Sequence, residues 1–168
     1  ASLQAAGARF RRLEGEARPP AAGAFVADVA PVGDPDLVAV LAEEAAALAG
    51  AMAPALQAWQ EAPGDAAPLA ELGGALHTLK SASRLAGAVL LGDLAWALET
   101  LLDDAVRRGP AERAALLPLV RDAHALLPAY VEASASGLLP PEAADLRARI
   151  TALAEAVDAA GARGGEPS

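Results

Sequence analysis

The stretch Leu90-Leu-Gly-Asp-Leu-Ala-Trp-Ala-Leu-Glu-Thr-Leu-Leu-Asp-Asp-Ala-Val-Arg-Arg108 decides the fold. Its apolar residues Leu91, Leu94, Leu98, Leu101, Leu102 and Ala105 follow the helical period, which gathers them on one face of a helix and would scatter them over both faces of a strand. Arg107 and Arg108 suit the negative end of a helix, and Gly109-Pro110 stops it. A helix apolar on one face must bury that face on other elements, so its neighbours set the architecture.

Residues 66–87 repeat the pattern with Leu69, Leu72, Leu76, Leu79 and Ala86 in one sector, and Gly87 is the expected terminator. A helix before it opens at Asp34 as N-cap with Pro35 in first position, and carries the stripe Leu37, Leu41, Leu48, Met52, Leu56, Trp59. Pro54 is expected to kink or divide that helix, and Pro63-Gly64-Asp65 to end it. Residues 111–134 place Leu116, Val120, Ala123, Leu127 and Val131 at helical spacing, with bends expected at Pro118 and Pro128. A last helix follows Pro140-Pro141 to about Gly161, with Leu146, Ile150, Leu153 and Val157 aligned. Short connections favour antiparallel neighbours, so the expected class is all-α: an up-down four-helix bundle over 34–135 with an additional C-terminal helix and tail over 136–168. Residues 1–33, with a basic patch at Arg9, Arg11 and Arg12 and a Pro/Gly/Ala-rich run, read as a tail or linker, from which Phe10 and Leu13 could dock on the bundle.

At 168 residues the chain fits one domain, and its alanine-rich composition with 3% aromatic residues suits closely packed helices. Thirteen basic against twenty-two acidic residues give a net charge of -9, which repels phosphate backbones and anionic lipid alike, so neither nucleic acid nor membrane is an expected partner. There is no cysteine, and the two histidines lie far apart without metal-ligand spacing, so no metal site is expected. No apolar stretch is expected to reach the ~18 residues of a bilayer span, because the Ala-rich run 45–56 is interrupted by Pro54. A cytoplasmic location is compatible with this composition. The chain opens without Met or a signal-like segment, and is expected to be a piece of something larger.

His77 lies well over a quarter turn from the leucine stripe of its helix, so its imidazole is expected to face solvent. Its neighbours three and four residues away are Gly73, Gly74, Lys80 and Ser81, three of them small, so a large partner could approach closely. Lys80 is the only lysine in the chain. Chance puts a single lysine at those offsets from either histidine only ~5% of the time, whereas an ammonium there can partly neutralise a phosphoryl group held on the imidazole. A histidine attacks phosphorus through a nitrogen with a free lone pair, so a carboxylate accepting the proton of the other nitrogen would fix the reactive tautomer. Glu99, at the edge of the stripe on residues 90–108, is the candidate. Taken singly, these three residues would be a solvated histidine, a solvated helix charge and a surface lysine. Arg84 shares the His77 face and either contacts an acidic partner or is solvated. His124 reads as structural, and Trp96 as packing beside the histidine. No nucleophile-elbow motif is present.

The run His77-Thr-Leu-Lys-Ser-Ala-Ser-Arg-Leu-Ala-Gly87 resembles the motif of histidine-phosphotransfer (HPt) domains, with lysine three residues and glycine ten residues after the histidine. One position departs from it: the family usually has glycine directly after the lysine, where this chain has Ser81. Downstream, Leu94-Ala-Trp-Ala-Leu-Glu-Thr-Leu-Leu-Asp-Asp104 resembles the third helix of the phosphotransfer domain of chemotaxis-type histidine kinases, and without a gap Glu99 matches the glutamate that bonds the phospho-accepting histidine. Ala95-Trp96, the tryptophan ending the first helix and the Leu-Pro of the fourth are most similar to hybrid kinases of type IV pilus, or twitching-motility, chemosensory systems. The resemblance covers about 34–135.

The resemblance implies that His77 takes a phosphoryl group from ATP held on a separate kinase catalytic domain, or from a response-regulator receiver domain, and passes it to a receiver aspartate. Glu99 would orient the imidazole, Lys80 would neutralise phosphoryl charge, and Gly73, Gly74, Ser81, Arg84 and Gly87 would form the partner-docking face. ATP and magnesium would belong to the partners, this domain binding no cofactor; the sequence has no Walker-type glycine loop. The rival reading is a phosphotransfer-inactive helical interaction module, which Ser81 favours. An unrelated helical adaptor would leave the placement of Lys80 and the gap-free register as coincidences.

Overall fold

The computed structural model describes residues 32–164, and among them it contains α1 (Pro35–Glu61), α2 (Ala67–Leu85), α3 (Val89–Arg108), α4 (Pro110–Ser136) and α5 (Pro141–Gly164), with no strand. The first four form a bundle, α1 packing on α2, α2 on α3, α3 on α4 and α4 back on α1, and α5 lies across α3 and α4. Residues 1–31, with the expected tail and its Phe10 and Leu13, lie outside the described residues.

Local chemistry sets the boundaries. Asp34 Oδ1 accepts from the backbone N–H of Asp36 at 3.0 Å and Leu37 at 3.2 Å, which satisfies two of the orphan donors of α1. At the other end of α1, Trp59 Nε1 donates to Pro63 O at 3.0 Å and ties the helix to its turn. Gly87 turns α2 into α3 at φ 77°, and Gly137 ends α4 at φ 78°, a region that L side chains rarely adopt. One continuous core runs from Trp59 through Leu72, Leu76, Leu91 and Leu98 to Leu146 and Ile150. Each such side chain contributes roughly 1.5–3 kcal/mol on burial. Tyr130 on α4 donates its hydroxyl to Ala143 O, fastening α5 to the bundle.

The leucine faces expected of α2 and α3 are buried as read. In α1 the stripe differs: Leu37 is exposed and Val38 buried in its place, Leu48 is half-buried, and Ala45 and Ala55 belong to the buried face. The cap at Asp34 sets the phase of the first turn, and the alanines carry much of the contact. In α5, Leu153 is exposed and Ala154 is buried, because Ala143, Leu146, Ile150 and Ala154 form a narrower seam against the bundle.

Pro54, Pro118 and Pro128 do not divide their helices. Pro54 and Gly50, whose carbonyl loses its intrahelical partner to that proline, are both exposed, so water can take the bond. A further correction concerns membrane spanning: α1 is long and apolar enough by length and composition to cross a bilayer. The cause is a charge-free run between Glu44 and Glu61 made largely of alanine. Its large buried side chains, Leu41, Met52, Leu56 and Trp59, all face the bundle, as in a core helix.

Candidate functional site

The antiparallel packing of α2 on α3 brings His77, Lys80 and Glu99 together. His77 Nδ1 stands 3.2 Å from Glu99 Oε2, and Lys80 Nζ stands 2.8 Å from Glu99 Oε1. The His77 side chain is 65% exposed, whereas Glu99 is 22% and Lys80 16% exposed. One carboxylate thus holds the imidazole with one oxygen and the ammonium with the other. The second contact is an ion pair whose angles fall outside those of a directed hydrogen bond.

A carboxylate can only accept, so the hydrogen bond requires the proton on Nδ1 and leaves the lone pair on Nε2. That nitrogen belongs to a ring standing mostly in solvent on the outer face of α2. An imidazole held in this way, with a counter-charge behind it, has the chemistry a nucleophile needs. The Lys80 ammonium is turned toward Glu99 and largely covered.

Gly73 is half-buried and Gly74 exposed, and a Cβ added at either would meet nothing within 4 Å. Ser81 and Arg84 are exposed on the following turns. Gly87 stands in the α2–α3 turn, ten residues and about 15 Å along the helix axis from His77. Trp96 is 51% exposed and not packed away as expected. It lines a hollow of about 430 Å³ beside the histidine together with Gly73, Lys80, Glu99 and Thr100.

His124 has a structural contact: its Nε2 lies 2.8 Å from Ala49 O, joining α4 to α1. Arg113 was not singled out by its spacing, yet it clasps three carbonyls, donating to Gly64 O at 2.7 Å, Val106 O at 2.9 Å and Ala105 O at 3.3 Å. Its signal lay in the orphan carbonyls that any helix C-terminus leaves, here five to eight residues before an arginine at the start of the next helix. Among the described residues no three His, Asp or Glu side chains gather as a metal would require.

A family model, that of the Hpt domain, matches residues 36–162, a span that runs from α1 into α5. No curated protein and no solved structure matches the chain.

Proposed function

The chain belongs to the Hpt-domain family, and from that premise we propose that His77 is its phosphoryl acceptor, oriented by Glu99 and served by Lys80. The family supports histidine phosphotransfer in phosphorelay signalling. The observation that carries the residue assignment is the Nδ1 contact with Glu99, which leaves Nε2 free and exposed.

In the forward step the Nε2 lone pair attacks the γ-phosphorus of ATP held on a histidine kinase catalytic domain. The bond from that phosphorus to its bridging oxygen breaks, and ADP leaves with the electron pair. The ring, keeping its Nδ1 proton, becomes cationic, and Glu99 offsets that charge. A carboxylate oxygen of a receiver aspartate then attacks the phosphorus, the P–N bond breaks, and its electrons return to Nε2. Phosphoryl transfer of this kind demands positioning above all, so the open face of Gly73, Gly74, Ser81 and Arg84 matters as the place where partners settle. ATP and magnesium come with those partners, which also implies a cytoplasmic setting.

The similarity of Leu94–Asp104 to chemotaxis-type kinases, and of Ala95-Trp96 to those of type IV pilus systems, supports a place in a chemosensory hybrid kinase. Ser81, standing where the family usually has glycine, favours a second reading as a phosphotransfer-inactive interaction module. Mixing the chain with a kinase catalytic domain and magnesium ATP, then mapping acid-labile, base-stable phosphate, separates the two. Label on His77 is the expected result. No label, beside a control in which the same kinase phosphorylates another such domain, would leave the interaction module.

A further inference from the structure

The seam between α3 and α4 is covered by α5, whereas the seam between α1 and α4 has no covering element among the described residues. It forms a groove of about 530 Å³ lined by Val38, Ala42, Ala46, Leu127 and Val131, with Glu132 as its only charged residue. We propose that this groove is the seat of the chain's own N-terminal segment, residues Phe25–Pro31, with Phe25, Val26 and Val29 laid against α1 and α4.

Three observations on this chain converge. The segment is delivered to the mouth of the groove: Gly33 N–H donates to Ser134 O at 3.1 Å and Asp34 N–H to Ala86 O at 3.3 Å, so the backbone before α1 is fixed beside the end of α4. Pro35 and Ala135 line that same end.

Contact with the groove has begun at Gly33. A Cβ there would stand 2.8 Å from Val38 Cγ2 and 2.6 Å from Ala86 O, so the chain already lies on a lining residue at a position only glycine fits. Pro31-Val32-Gly33 is suited to reverse direction.

The lengths agree. The groove follows α1 from Pro35 to Ala49, roughly 21 Å at 1.5 Å per residue, and an extended or polyproline-like strand covers that with about seven residues. Phe25–Pro31 supplies that number, and Val26 and Val29 fall three apart, on one side of such a strand.

The chain has no cysteine, so Ala24→Cys in the full chain gives one attachment point for a nitroxide. In two-dimensional amide spectra the signals of Ala42, Ala46 and Val131 should lose most of their intensity relative to the reduced label, while that of Ala152 in α5 keeps its own. Adding Phe25→Asp and Val29→Asp should restore them. Unaffected groove signals, or losses that persist in the Asp variant, would overturn the proposal. So would losses appearing only between molecules, when nitroxide-bearing chains are mixed with isotope-labelled unmodified ones; that result would make a second copy the occupant.

Discussion

Lys80 and His77 share one carboxylate: Glu99 faces the ammonium at 2.8 Å with one oxygen and the imidazole at 3.2 Å with the other. The chain's only lysine therefore faces the same carboxylate that holds His77. Removing Glu99 takes away the group that fixes the tautomer and leaves a largely covered ammonium beside the ring. Glu99→Ala should slow phosphate incorporation about tenfold or more, the loss expected from one charge-assisted hydrogen bond of roughly 1.5–3 kcal/mol. Lys80→Ala should slow it less. Because both act on one path, the double variant should be no slower than Glu99→Ala alone; rapid-quench labelling of the four proteins measures this coupling. Multiplying effects would separate Lys80 from Glu99 and return it to direct contact with the phosphoryl group.

His77 itself carries little of the fold. Its side chain stands mostly in solvent, and its polar contact is with Glu99. His77→Gln should abolish acid-labile phosphate while leaving the far-ultraviolet dichroism unchanged and the stability within about 0.5 kcal/mol, as for other surface substitutions. Phosphate retained at the same level would place the acceptor elsewhere.

How much of this was readable before the structure depended on contrast between side chains. In α2 and α3 large leucines alternate with polar residues, so the buried faces, and with them the outward His77 and the edge position of Glu99, followed from spacing. In α1 the alanines fit either face, and Leu37 was read as core where Val38 is buried. Helical wheels give direction but not reach across an interface. They put Lys80 near His77, yet the turn of its ammonium onto Glu99 depends on the separation of two helices. The same limit hid Arg113, whose partners come from α3 and from the α1–α2 turn, and left Trp96 packed in expectation and half in solvent in fact.

Ser81 and Gly74 offer opposite tests of the proposed docking face. Both are exposed, and nothing lies within 4 Å of a Cβ at Gly74. Gly74→Ala should raise stability by roughly 0.5–1 kcal/mol, because glycine inside a helix is unfavourable by about that much, and yet slow transfer to a receiver domain by narrowing the approach. Ser81→Gly should lose a few tenths of a kcal/mol and speed transfer. Thermal unfolding and receiver labelling, run on the same preparations, read both quantities. Transfer rates that rise and fall with stability would remove the steric role from these positions.

Arg113 joins three elements at one end of the bundle by donating to Gly64 O, Ala105 O and Val106 O. The two α3 carbonyls belong to its last turn, where Ala105 O also accepts the Gly109 N–H at 3.4 Å, and the third belongs to the α1–α2 turn. Arg113→Ala removes all three bonds at once and leaves part-buried acceptors to find water, a loss of about 1–3 kcal/mol. Arg113→Lys keeps the charge but not the planar fork, and should recover only a fraction of it. The site is separated from this clasp: His77 lies eight residues beyond Leu69 in α2, and Glu99 six residues before Ala105 in α3, about 9 Å along the latter axis. Urea unfolding should therefore show the destabilisation while phosphate incorporation into the folded protein stays near that of the parent. A matching fall in incorporation would mean that the spacing of α2 and α3 at the histidine depends on the clasp at their end.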